Sequence, residues 1–236
     1  MLRSPPALSA SVLTAMCCMF AACGKPATPT GITSTVTTSN GALPGTMTWD
    51  FALLAGPDGP QGNPKIFTLA GQGSIIATVI EAASNPGFQV WSKGFNDPPL
   101  SPERGLGICG NYGTGGICGS VGPAASDEIG DTFPDSAGNL TLTPSMVLNF
   151  TGLSAGSVVD SVTLGSLEFG EGYSVLWSAD GVTYTQMVRA ARVTGTSNVV
   201  AFPVPAGVSY LRFDQGPGIA VSDYVVVTVH VVLPKH

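Results

Sequence analysis

The chain has 236 residues, a net charge of −6, 10% charged side chains, 31 glycines and 19 prolines. An ordinary domain carries about 25% charged residues. No basic stripe exists, which excludes a nucleic-acid surface built on clustered Lys and Arg, and 44% hydrophobic residues exclude a chain too polar to close a core.

Residues 1–22 read as an export signal. Arg3 gives a positive start, and Ala7 to Ala22 form an uncharged apolar stretch. That stretch is shorter than the about 20 apolar residues a spanning helix needs. Phe20-Ala21-Ala22-Cys23 resembles a bacterial lipobox, with Phe20 where the pattern has an aliphatic residue. Small residues fit the peptidase at the cut, and a cysteine thiol forms the thioether to diacylglycerol. The resemblance implies a lipidated Cys23. Gly24 stands where an Asp would signal inner-membrane retention, so the expected location is the outer membrane of a bacterial envelope. A secretory signal cut nearby, giving a secreted protein, and an uncleaved anchor are the other readings.

Residues 23–46 are rich in Thr, Ser, Gly and Pro and read as a flexible tether. Residues 47–236 then fit a single all-β domain. Period-two runs dominate it. Ser74–Glu81 is apolar on both faces and predicts a buried strand. Phe88–Lys93 alternates, with Phe88 and Val90 opposite Gln89, Trp91 and Lys93. Met146, Leu148 and Phe150 share a face, and Ser161–Leu167 predicts a strand bent at Gly165. Tyr173–Val188 predicts a hairpin turning at Asp180-Gly181. Val199–Val204 and Ser209–Phe213 follow, and Val225, Val227, Val229, Val231 and Leu233 predict one continuous apolar face. Each strand offers one face that must be covered, which points to an antiparallel β-sandwich of jelly-roll kind.

Beyond Cys17, Cys18 and the lipobox Cys23, two cysteines remain. Cys109 and Cys118 flank the glycine-rich ICGNYGTGGIC, and an even count in an exported chain predicts a disulfide. A metal site is the rival, unsupported by a CxxC or a nearby His.

The order GLGIC (105–109), DEIGD (127–131), MVLNFTGL (146–153), VVDSVTLGSLEFGE (158–171), YSVLWSADGVTYTQM (173–187) and YLRFDQGPGIAVSDYVVVTVHVV (210–232) resembles exported bacterial β-sandwich proteins of the PEP-CTERM-associated kind. SADGVTYTQM is also similar to the strand–turn–strand of discoidin-like modules, which often bind glycans or surfaces. The resemblance implies a sandwich fold and an envelope location. At VLPKH the chain departs from the sorting tail, and a lipid on Cys23 is expected to replace that anchor.

Catalytic residues are not expected. A Ser/His/Asp set needs a usable histidine, and only His230, on an outward strand face, and the terminal His236 exist. GxSxG, HExxH, P-loop and dinucleotide fingerprints are missing. The acidic group Asp127, Glu128, Asp131 and Asp135, with Glu103 upstream, admits three readings. It is a solvated loop, a structural Ca²⁺ site using Glu103, Asp127, Glu128 and Asp131, or a carboxylate pair for glycan hydrolysis centred on Glu128. No other cofactor is implied. Trp177 is in phase with core residues, so Trp91, beside Gln89 and Lys93, is the candidate ligand platform among Trp49, Trp91 and Trp177. The sequons at Asn139 and Asn149 carry meaning only in a eukaryotic secretory pathway. The expected role is structural or adhesive at the cell envelope, with glycans or envelope components as partners. A carbohydrate-binding module and a glycan hydrolase are the alternatives.

Overall fold

The computed structural model describes residues 45–80, 87–95, 103–110, 128–130, 133–134, 140–193, 198–217 and 224–234. Among them, Thr46–Asp50 (β1) leads directly into a short helix, Phe51–Ala55 (α1), that the β-type patterning does not announce. Asp50 starts the helix by accepting the Leu53 amide at 3.1 Å, which satisfies a backbone donor that has no partner within the helix.

Two antiparallel sheets follow. The first has the order Val200–Pro203 (β13), Val158–Gly165 (β10), Val225–Val232 (β15), Gly105–Gly110 (β6), Phe88–Lys93 (β5) and Gly59–Gly62 (β2), with β1 also paired to β15. The second runs Thr185–Ala191 (β12), Gly172–Ser178 (β11), Tyr210–Gln215 (β14), Ser145–Asn149 (β9), Gly73–Ile80 (β4) and Lys65–Leu69 (β3). Phe133–Pro134 (β7) and Leu140–Leu142 (β8) form a separate pair. Late strands insert between early ones: β14 lies between β11 and β9, and β15 between β10 and β6. The fold is an all-β sandwich.

Alternation builds the core. Ile75, Ala77 and Val79 of β4, Met146 and Leu148 of β9, and Leu211 and Phe213 of β14 are buried in one cluster with Phe88 and Val90 of β5 and Leu106 and Ile108 of β6. Each fully buried aliphatic or Phe side chain contributes about 1.5–3 kcal/mol relative to exposure.

Three expectations need correction. The face Val225–Val227–Val229–Val231–Leu233 is not continuous. Thr163 pairs with Thr228 and Leu164 with Val226, so Val227 is an extra residue, and the core takes Val226 with Val229 and Val231. β4 is not buried on both faces, since Ile80 is 42% exposed and Ile76 is half-buried. The hairpin does not close on Asp180-Gly181 alone. Residues 179–184 form the connection, and Asp180 Oδ1 organises it by accepting the Val182 and Thr183 amides at 2.8 and 2.9 Å.

Candidate functional site

The charged residues of the first sheet meet at one end of β5 and β6. Lys93 ends β5 and pairs with Gly105, the first residue of β6, so Glu103 arrives two residues before its partner position. Gly105 is needed there: a Cβ would stand 2.4 Å from the Val226 carbonyl oxygen. Glu128 reaches the same place from another direction. Ile129 exchanges both backbone hydrogen bonds with Tyr224, at 2.8 and 3.2 Å, and thereby fixes Glu128 beside β5. Ser166 follows the end of β10 in a left-handed conformation with φ of 60°.

These four side chains form one network. The Lys93 ammonium contacts Glu128 Oε1 and lies 3.4 Å from Glu103 Oε2. Ser166 Oγ lies 2.7 Å from Glu128 Oε1 and 2.8 Å from Glu103 Oε2. Glu128 is the most buried of the charged groups, with 9% of its side chain exposed against 25% for Lys93 and 51% for Glu103.

The expected Ca²⁺ ligands therefore divide. Glu103 and Glu128 come together, but around an ammonium that already supplies the cation. Asp127, Asp131 and Asp135 lie outside the described residues, and no group of three or more metal-ligating side chains occurs among the described residues. Cys109 is fully buried in β6, while Cys118 and Cys23 also lie outside the described residues.

Trp91 corrects the expectation of an exposed platform. It does share the outward phase of β5 with Gln89 and Lys93, and it lies between Pro60 and Gly107 on the neighbouring strands. Yet it is only 7% exposed, so its ring offers no open surface to a sugar. Trp49 is wholly buried in the core, and Trp177 packs against the core edge.

Sequence reasoning missed two other polar assemblies. Ser161 pairs with His230 and Val159 with Val231, which makes Asp160 an extra residue in β10 and turns its side chain toward His230 at 2.7 Å. Ser161 Oγ also bonds to Asp160, at 3.3 Å, so this is not the serine–histidine–aspartate relay in which the hydroxyl meets the imidazole. The second lies on the outer face of the six-stranded sheet. Tyr210, Arg212 and Asp214 alternate with the core residues Leu211 and Phe213 along β14. Arg212 stands 5.9 Å over the Tyr184 ring and is held by Asp214 Oδ1 at 2.8 Å and Ser145 Oγ at 3.2 Å. Tyr210 packs on Gly181, where a Cβ would lie 2.9 Å from its ring. Partial burial raises the Tyr184 phenol above its ordinary 10.0, with Arg212 opposing the shift. Asn149 pairs with Tyr210 across β9, and Ile66 and Ile76 continue the same cross-strand row.

No family model, curated protein or solved structure matches the chain. Among the described residues, no helix is long and apolar enough to cross a membrane.

Proposed function

We propose that this protein is an exported, lipid-anchored, non-catalytic module that adheres to envelope glycans through the outer face of its six-stranded sheet. The observation that carries the reading is the array of Tyr184, Arg212 and Tyr210 on one sheet face. A pyranose presents an apolar face that stacks on aromatic rings, while its hydroxyls hydrogen-bond to planar polar groups. Asn149 and Asp214 stand at the margins of the array to take that second role.

Glycan hydrolysis is disfavoured by the arrangement of Glu103 and Glu128. That reaction uses two carboxyl groups about 5–9.5 Å apart with the sugar between them. Here the same lysine and serine bridge both carboxyl groups. The reading needs no structural calcium at Glu103, Asp127, Glu128 and Asp131, because the Lys93 nitrogen already lies against both of the carboxyl groups that meet. It retains the Cys109–Cys118 disulfide as a clasp on β6, and it retains the lipid on Cys23 as the anchor.

The anchor is tested by metabolic labelling with palmitate in a bacterial host. The wild-type chain takes up label and Cys23→Ala does not. An unlabelled wild type removes the anchor from the account. Adhesion is tested by polysaccharide pull-down, in which Tyr184→Ala and Tyr210→Ala each weaken retention about tenfold, the loss of a single stacking contact of about 1 kcal/mol or somewhat more.

A further inference from the structure

The network around Lys93 holds the components of a condensation as well as those of an ion pair. The primary amine of Lys93 touches a carboxyl oxygen of buried Glu128. A second carboxyl oxygen, Glu103 Oε2, lies 3.4 Å from the same nitrogen. The Ser166 hydroxyl lies within hydrogen-bond distance of both oxygens. Separate elements fix each participant: β5 carries Lys93, the approach to β6 carries Glu103, the Ile129–Tyr224 bridge secures Glu128, and the end of β10 supplies Ser166.

We propose that Lys93 and Glu128 condense into an intramolecular amide, with Glu103 moving the protons. Burial disfavours a charged amine facing a charged carboxylate, and the uncharged amide removes that desolvation cost. Glu103 takes a proton from the ammonium and passes it to Glu128, and the freed electron pair of Nζ attacks the carbon of the now neutral Glu128 carboxyl group. Ser166 Oγ–H donates to the oxygen that gains charge. The C–O bond to one Glu128 oxygen then breaks. That oxygen leaves as water, carrying two protons, both of them from the original ammonium and at least one delivered through Glu103. Nothing is oxidised or reduced, and no external reactant is needed. Holding amine and carboxyl in contact replaces a second-order encounter with an effective concentration of about 10⁵ M or more.

Glu103 is the exposed member, so solvent can exchange its protons. Ser166 is held in the left-handed region, which a serine rarely adopts, and this conformation brings its hydroxyl to both carboxyl groups. The bond would tie β5 to the segment before Ile129 without any thiol, so reducing agents would leave it intact.

Intact mass spectrometry and peptide mapping of the purified, reduced full chain test the proposal. The wild type is expected one water lighter than its processed sequence requires, with a branched peptide joining Lys93 to Glu128. Lys93→Arg gives the full mass and linear peptides only. Glu103→Gln keeps the size and hydrogen bonding of the side chain but loses the proton acceptor, and it forms the branched peptide about a hundredfold more slowly. A melting transition on each variant confirms that it is folded. Recovery of wild-type Lys93 and Glu128 only in separate linear peptides overturns the proposal, as does a water loss mapped elsewhere. A Glu103→Gln chain that crosslinks as fast as wild type overturns the role of Glu103.

Discussion

His230 and Asp160 are joined at 2.7 Å only because Asp160 is the extra residue of a bulge in β10. The same bulge lets the Asp160 carbonyl accept the Val204 amide at 2.7 Å, so it also secures the chain just past β13. The pair is partly exposed, with 33% and 42% of the side chains accessible. A double-mutant cycle of Asp160→Ala and His230→Ala is expected to give a coupling of about 0.5–1 kcal/mol, typical of a pair screened by solvent. A coupling of zero means that the bulge, and not the contact, holds Asp160 in place.

Asp50 does more. It caps α1 and also receives Arg104, whose Nη2 lies 3.1 Å from each Asp50 oxygen while Arg104 is 1% exposed. Asp50→Ala leaves the guanidinium with one partner fewer in a buried place, and the expected loss is about 3 kcal/mol. Asp50→Asn keeps the cap acceptor but not the charge, so it loses less. Chemical denaturation of both variants checks the order. Equal losses would assign the whole effect to the ion pair.

The turn at Asp180 carries a pH signature. Hydrogen bonds from the Thr183 and Val182 amides, then from the Ser178 hydroxyl, lower the Asp180 carboxyl from 3.8 to about 2. A depressed folded value contributes stability above the unfolded value and loses it as pH falls toward the folded one. Asp180→Ala is therefore expected to lower the melting temperature near neutrality and to converge on the wild type as pH falls through about 2. Carboxyl carbon shifts followed by NMR give the midpoint directly, and a midpoint at the ordinary 3.8 removes the argument.

The sandwich was legible in the alternation of short strands, because one buried face per strand leaves few other ways to pack. Phe88–Lys93 stands as a strand with the inward residues that its pattern indicates. What alternation cannot show is a bulge. The extra residue at Val227 reverses the parity of β15, and the one at Asp160 creates a pair between residues 70 apart. Polarity also misleads where a neighbour covers a strand. Gln89 and Lys93 suggest solvent around Trp91, yet it is 7% exposed beside Pro60 and Gly107. Glu103 and Glu128 were identifiable as members of an acidic group with Asp127, Asp131 and Asp135, but not as partners. Lys93 and Ser166 were not, since their part depends on pairing with Gly105 and on a turn after β10.

The adhesive reading is tested most directly by sedimenting the full-length protein with insoluble envelope polysaccharide and assaying the same mixture for new reducing ends. The wild type should pellet with the polysaccharide, the Tyr184→Ala/Tyr210→Ala double variant should stay in solution, and no reducing ends should form. Equal pelleting of both proteins would contradict the site. Shortening of the polysaccharide by the wild type, lost in Glu128→Gln, would contradict the claim that the module binds without turnover.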